Sequence, residues 1–262
     1  MTVSILGCGW YGTALAGSLI NKWIKVKGST TTTAKLTLLA EVGIEPYLID
    51  LSPANETINP AFFECDVLWV CIPPGARAGK GAEYLVKIER LITLINTYQI
   101  KQVVFISSTG VYGDHNTEIT EQDAPNPDSE SGKILLAVEE LLNKENAFTT
   151  TIIRFAGLIG PGRDPGRFFA GKTNIPNGQA PVNLIHLTDC VGISNALLDK
   201  QAFGYTYNAV SPSHPTRMEF YTQAAIDSGL EPPPFIEEQN KWKLVSEVTV
   251  SELLDYQYQV KI

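Results

Sequence analysis

A doubly wound parallel α/β sheet with a smaller C-terminal lobe is the fold this sequence predicts, and three observations predict it. An apolar run near the N-terminus leads through a glycine turn into a segment with helical apolar spacing. Strand-like and helix-like stretches then alternate as far as residue 156, as expected of a sheet built from β-α-β units. From residue 157 the pattern gives way to short elements punctuated by Gly, Pro and Asn, with Pro232-Pro233-Pro234 marking a further loop. The expected division is therefore 1–156 for the sheet and 157–262 for an intimately packed lobe, some of whose elements return to the sheet.

The elements follow in order. Val3-Ser4-Ile5-Leu6 is the first strand, Gly7-Cys8-Gly9-Trp10-Tyr11-Gly12 the turn, and Thr13 to Ile20 the body of the first helix. Each glycine has a physical reason. Gly7 allows the tight turn, Gly9 lets the backbone approach a pyrophosphate, and Gly12 lets the helix pack close to the strand. The amides and positive dipole end of the helix then face the phosphates. Ile24 to Gly28 is the second strand and Ala34 to Val42 its helix, stopped by Gly43. Tyr47 to Leu51 is the third strand. Asp66 to Ile72, nearly all apolar, is a strand buried on both faces. Glu83 to Gln99 carries Leu85, Ile88, Leu91, Ile92 and Ile95 at helical spacing. Gln102 to Ser107 is the fifth strand, Ser129 to Leu142 a helix, and Thr150 to Phe155 the sixth strand.

Composition narrows the function. The formal charge of −8 and the absence of any Lys/Arg run exclude a nucleic-acid binder, which needs clustered cations. No apolar stretch reaches the roughly 20 residues that span a bilayer, and no leader-like segment precedes the first strand, so a cytoplasmic protein is expected. Cys8, Cys65, Cys71 and Cys190 are scattered without metal spacing and read as free thiols; no His/Cys/Asp cluster predicts a metal.

The residues after the second strand bear on the cofactor. A carboxylate there grips the ribose 2′-hydroxyl of NAD, but this chain reads Ser29-Thr30-Thr31-Thr32-Thr33-Ala34-Lys35, with Glu41 the first acid downstream. Hydroxyls and a lysine accept a 2′-phosphate that a carboxylate repels, so NADP(H) is expected over NAD(H), although no arginine fork is present. The alternative is that the threonines only cap and turn. Ser29, Thr30 and Thr31 join Gly7, Gly9 and Gly12 as cofactor candidates. So do Asp50 and Leu51, which either flank the adenine or cap a turn, and Ile72, Pro73 and Ser107 at strand ends. Trp10 and Tyr11 either line the pyrophosphate pocket or wedge the helix against the sheet. Arg77 either reaches a phosphate or is a solvated loop residue.

Further segments carry a resemblance. Phe105-Ile106-Ser107-Ser108-Thr109-Gly110-Val111-Tyr112-Gly113, Ile153 to Arg163, and Val182 to Asp189, followed by Tyr207-Asn208-Ala209-Val210, stand in the order found in extended short-chain dehydrogenases/reductases. The chain resembles the epimerase/dehydratase side of that Rossmann-type superfamily. Its short form, its glycine turn and Lys243-Leu244-Val245-Ser246-Glu247 resemble a bacterial YeeZ-like group of atypical members. The resemblance implies chemistry by a Ser, a Tyr and a Lys four residues later, the Lys lowering a phenol pKa that is normally about 10. Ser108 matches the serine and Lys133 the lysine, which also binds the nicotinamide ribose, but Ser129 stands where the tyrosine belongs. A serine hydroxyl is too weakly acidic and too short to replace that phenol.

Ser108 either orients a substrate oxygen or closes its strand by a local bond; Lys133 either holds the ribose or is a surface lysine; Ser129 reads as a helix cap. Tyr112 is a substitute phenol or, as the resemblance implies, a packing aromatic. Thr109, Arg163 and Arg167 are substrate-binding candidates, the arginines through bidentate bonds to an anion. His186 and Asp189 read as a strand end and a helix N-cap; His115 and His214 are isolated. The expected function is an NADP-dependent oxidoreductase or epimerase-like enzyme acting on a small polar substrate without the usual tyrosine. The alternative is a non-catalytic NADP-binding redox sensor or scaffold, and a third option, no nucleotide at all, requires Trp10 or Tyr11 to occlude the turn. A homodimer through the Glu83–Gln99 and Ser129–Leu142 helices is implied by the resemblance.

Overall fold

Parallel strands form wherever the apolar runs lie, and the helices between them cover both faces of the sheet. The computed structural model describes residues 1–75, 79 and 81–262. In chain order the elements are β1 (Thr2–Leu6), α1 (Trp10–Asn21), β2 (Lys25–Thr30), α2 (Ala34–Glu41), β3 (Glu45–Leu48), β4 (Val67–Val70), α3 (Gly81–Thr97) and β5 (Gln102–Ser108). There follow β6 (Thr117–Ile119), α4 (Glu130–Asn143), β7 (Thr149–Phe155), β8 (Gly157–Ile159), β9 (Leu184–His186), α5 (Leu187–Lys200), β10 (Thr206–Ala209), α6 (Arg217–Asp227) and β11 (Lys243–Val245).

The main sheet runs β3-β2-β1-β4-β5-β7-β10, all parallel. The order reverses between β1 and β4, which leaves a crevice outside their carboxyl ends, the usual ligand position in such sheets. β1 and β4 are buried on both faces, with Trp69 and Phe105 of the neighbouring β5 fully enclosed.

Several boundaries move. β2 continues two residues past its expected end, because Ser29 and Thr30 pair with Tyr47 and Leu48 of β3. β3 starts and stops earlier than expected: the Ile49 amide still donates to the Thr30 carbonyl at 3.0 Å, but Asp50 exchanges both backbone hydrogen bonds with Thr57 instead of continuing along β2. The larger buried cluster crosses residue 156, while a small one of Ile159, Val182 and Leu184 lies wholly beyond it. β10, at Thr206–Ala209, pairs with β7 in the register Tyr207↔Ile153 and covers what would be an open edge. Cys190, Ile193 and Leu197 of α5 share one buried cluster with β1, and Tyr11 of α1 and Ser194 of α5 share a hydrogen bond of 2.6 Å. Two ribbons, β8 with β9 and β6 with β11, and helix α6 with its Thr216–Glu219 capping box build the rest of the lobe. No helix among the described residues is long and apolar enough to cross a membrane.

Candidate dinucleotide-binding site

The glycine turn has the geometry its sequence implies. Gly7 sits at φ +97°, a conformation open to glycine, and its amide donates to Ser29 Oγ at 2.9 Å. The Cys8 amide donates to the Ser29 carbonyl at 2.8 Å, so β2 clamps the turn from beneath. A Cβ on Gly12 would lie 2.6 Å from the Gly7 carbonyl oxygen, so only glycine lets α1 descend on this strand. At Gly9 the reason is different: a Cβ there would meet nothing of the protein within 4 Å. The fold does not need that glycine, whereas a phosphate approaching the backbone does. Gly9 is also the N-cap of α1 and offers no side chain to the first-turn amides, and no acid stands in that turn.

A cavity of about 360 Å³ opens at this turn. It is bounded by Gly7 and Gly9, by Ser29, Thr30 and Thr31 at the end of β2, by Asp50 and Leu51 beyond β3, and by Ile72 and Pro73 beyond β4. These nine expected residues converge from four separate strand ends. Lys35 of α2 and Tyr84 and Lys87 of α3 complete the wall. A second cavity of about 570 Å³ adjoins it and shares Thr31, Asp50 and Lys87. Three of the polar residues are already engaged. Ser29 Oγ accepts from Gly7, Thr30 Oγ1 accepts from the Thr32 amide at 3.1 Å, and Asp50 accepts from the Ser52 amide and hydroxyl at 2.8 and 2.6 Å. Thr31 and Lys35 remain exposed at the mouth, and Lys87 pairs with Glu83 at 2.7 Å. No carboxylate ends β2. Burial pushes the Cys8 thiol up to about 12 and the Cys71 thiol well above its ordinary value, so both line the cavity as neutral, apolar groups. The residues present thus fit a dinucleotide. Arg77 lies outside the described residues.

Trp10 and Tyr11 part company. The Trp10 indole, expected at the cofactor, does not line the cavity; it donates to the Pro161 carbonyl at 2.6 Å, with the Arg163 guanidinium 4.3 Å from its ring centre. Tyr11, expected at the cofactor, turns into the core instead, its ring edge-on to Phe155 and its hydroxyl on Ser194. The wedge reading is the one the structure bears out for Tyr11. Arg163 is thereby fixed beside the phosphate turn, while Arg167 is exposed and leans on Asp164 at 3.4 Å, away from it.

The end of β5 departs further from expectation. Ser107, expected at the cofactor, gives its hydroxyl to Glu139 Oε1 at 2.5 Å inside the core. Glu139 is bound in turn by Arg154 through Nε at 3.1 Å and Nη2 at 2.6 Å, a buried pair from α4 and β7. Arg154 Nη1 donates to the Tyr112 hydroxyl, which also reaches the Thr120 carbonyl and Asn208 Oδ1, each at 3.1 Å. Tyr112 is therefore a structural phenol at the centre of a buried network. Burial holds its pKa above the ordinary value despite the opposing pull of Arg154, the wrong direction for a proton carrier. Ser129 caps α4 by accepting from the Gly132 amide at 3.1 Å, and Ser108 Oγ accepts from the Gly110 amide at 3.1 Å. Thr109 is buried, and Lys133 is exposed on the first turn of α4. That turn packs tightly on the loop after β5: a Cβ on Gly132 would lie 2.2 Å from the Gly110 carbonyl oxygen. Ser108 and Lys133 are thus brought to one region of the sheet edge.

Asp189 is not the cap of α5. His186 takes that place by accepting from the Thr188 amide at 3.2 Å. Buried Asp189 instead latches the C-terminal tail, accepting from the Tyr256 hydroxyl at 2.9 Å and the Gln259 amide at 2.7 Å. Sequence reasoning missed Tyr84 and Lys87, three residues apart on α3, and it missed Glu139. The signal for Glu139 was Arg154 itself, a charge inside an apolar strand that demands a buried partner.

The model of the NAD dependent epimerase/dehydratase family matches residues 5–208. Protein YeeZ of Escherichia coli (strain K12) is 38% identical over 263 residues, covering 98% of this chain and 95% of that protein. Among solved structures, UDP-glucuronic acid 4-epimerase from Bacillus cereus, in complex with UDP-glucuronic acid and NAD, superposes with a TM-score of 0.81 at 19% identity. That match covers 100% of this chain and 95% of the epimerase. MoeE5, in complex with UDP-glucose and NAD, gives 0.80 at 19% identity over 100% and 95%. At that level of identity the two structures speak for the fold, which is theirs.

Proposed function

The chain belongs to the NAD-dependent epimerase/dehydratase family, and on that footing we propose that it binds NADP(H) in preference to NAD(H) and acts as an oxidoreductase or epimerase-like enzyme on a small polar substrate. One observation carries the reading: the glycine turn, Thr31, Lys35 and Lys87 surround one cavity at the point where the strand order reverses, and no carboxylate ends β2. The turn and the first amides of α1 hold the pyrophosphate. Asp50, Leu51, Ile72 and Pro73 border the adenosine, and Thr31 and Lys35 meet the 2′-phosphate. The bound nicotinamide supplies a site that takes up or releases hydride.

The chain's own residues supply position. Ser108 orients a substrate oxygen with the hydroxyl proton left free by its bond to Gly110. Lys133 holds the nicotinamide ribose. Arg163, steadied on Trp10, meets an anionic part of the substrate. The proton passes to or from water or a group not among these, since Ser129 is committed to its cap and Tyr112 to the core.

The test is a calorimetric titration with NADP⁺ and NAD⁺, followed by turnover on a panel of carbonyl compounds and sugar nucleotides. UDP-glucose and UDP-glucuronic acid, the ligands of the structural neighbours, open that panel. Micromolar binding with NADP⁺ the tighter is expected, with the preference narrowed by Lys35→Ala. Ser108→Ala and Lys133→Ala should each depress turnover, and unchanged rates in both would remove this mechanism. A second reading, a non-catalytic NADP-binding sensor or scaffold, is favoured by the diversion of Ser129 and Tyr112 into structural bonds. Absence of hydride exchange across the panel, with a partner protein whose affinity follows the NADP/NADPH ratio, would select it.

A further inference from the structure

Lys87 stands where the two neighbouring cavities meet, and it lines both, as do Thr31 and Asp50. Its place follows from helix geometry. Tyr84, one turn earlier on α3, is buried and donates its hydroxyl to the Ile72 carbonyl at 2.9 Å, which ties that flank of the helix to the end of β4. Residues three apart share a helix flank, so Lys87 is carried to the same crevice. Thr31 is the first residue past β2, and the ribose 2′ position of a bound dinucleotide lies at that strand end. A group attached at 2′ therefore has a hydroxyl on the β2 side of the crevice and an ammonium on the α3 side.

The ammonium already has a partner. Lys87 Nζ lies 2.7 Å from Glu83 Oε1, an i,i+4 pair with side chains 26% and 38% exposed. Partly solvated helix pairs of this kind are weak, because water screens both charges and two long side chains must be held in place. A phosphate monoester carries about two negative charges and presents several acceptor oxygens, so it binds an ammonium more strongly than one carboxylate does. Exchange of Glu83 for a 2′-phosphate is favourable, whereas a 2′-hydroxyl gives Lys87 no reason to leave. Asp50 adds to the need. Its Oδ1 accepts from the Ser52 amide and hydroxyl at 2.8 and 2.6 Å, and its charge repels a phosphate at this opening unless a cation offsets it.

We propose that the Glu83–Lys87 couple of α3 is a specificity device for the dinucleotide: Lys87 leaves Glu83 for the 2′-phosphate of NADP(H) and stays on Glu83 when NAD(H) binds. This rests on the reading of the cavity as a dinucleotide site. It adds to Thr31 and Lys35, on the β2 side, a second discriminating cation whose availability Glu83 sets.

Calorimetric titration of the full chain with NADP⁺, NAD⁺ and adenosine 2′-monophosphate tests this, in wild type, Lys87→Met, Glu83→Gln and the double variant. Methionine keeps an apolar stem without the charge, and glutamine keeps the shape of Glu83 without its charge; far-UV spectra and melting temperatures establish that each variant is folded. Lys87→Met should weaken NADP⁺ and adenosine 2′-monophosphate at least about tenfold, with NAD⁺ changed by less than about twofold. Glu83→Gln should tighten NADP⁺ roughly twofold to fivefold and leave NAD⁺ unchanged. The double variant should match Lys87→Met alone, because Glu83 acts through Lys87. Unchanged NADP⁺ affinity in Lys87→Met, an equal loss for both dinucleotides, or a Glu83→Gln gain that survives in the double variant would each overturn the proposal and leave the dinucleotide site standing. A folded wild type that binds none of the three would remove the site itself, and this role with it.

Discussion

The glycine turn after β1 and the loop after β5 open on the same carboxyl edge of the sheet, yet they dispose of their polar groups in opposite ways. At the turn, backbone does the work: Gly7 and Gly12 shape it, and Gly9 leaves open the space a Cβ would take. At the end of β5, side chains expected to face a ligand turn inward, Ser107 to Glu139 and Tyr112 to Arg154 and Asn208. A buried charged pair explains the contrast. Arg154 and Glu139 cannot remain unsolvated in the core without exhausting nearby donors and acceptors, and Ser107 and Tyr112 are the nearest.

The largest effect expected from this contrast is that of Glu139→Ala. It leaves the Arg154 guanidinium buried and unpaired, so denaturant unfolding should show a loss of about 3–5 kcal/mol. A small loss, with dinucleotide binding reduced instead, would mean that the β5 edge is a ligand site and would break the comparison. Gly12→Ala should come next. Its Cβ meets the Gly7 carbonyl, so α1 must shift at a cost of roughly 1–3 kcal/mol, and dinucleotide affinity should fall at least about tenfold. Calorimetry against thermal unfolding separates the two readouts, and unaltered affinity would show that phosphate contact does not depend on how α1 is seated. The smallest is Ser129→Ala, which removes a helix cap worth about 1 kcal/mol. Melting temperature should drop slightly with the rate per folded molecule unchanged; a fall in rate without a fall in stability would return Ser129 to the chemistry.

Legibility followed the same divide. The strands, the sheet and the cavity wall were readable because periodicity and glycine spacing are properties of neighbouring residues, and Gly7, Gly9, Ser29 to Thr31, Ile72 and Pro73 all reach the cavity. Tyr11, Ser107 and Asp189 were misplaced because each has two polar neighbourhoods open to it, and distant residues choose between them. Tyr11 is claimed by Ser194, 183 positions away, and Asp189 by Gln259, 70 positions away. Tyr84 and Lys87 were missed because helical spacing marks which face of α3 is apolar but not what its flank overlooks.

What the sequence determined by itself is the backbone, a parallel α/β sheet with a glycine turn at a helix start, and that a serine rather than a tyrosine stands four residues before Lys133. Those depend on local sterics and on which side chains avoid water, and both are written in short windows of sequence. Only the tertiary structure decided which hydroxyls stayed free, that β10 extends the sheet beside β7, and that Lys35 and Lys87 face one cavity from two helices. Hydrogen-bond partners inside a core are allotted by whichever buried charge must be satisfied, and that competition takes place among residues far apart in the chain.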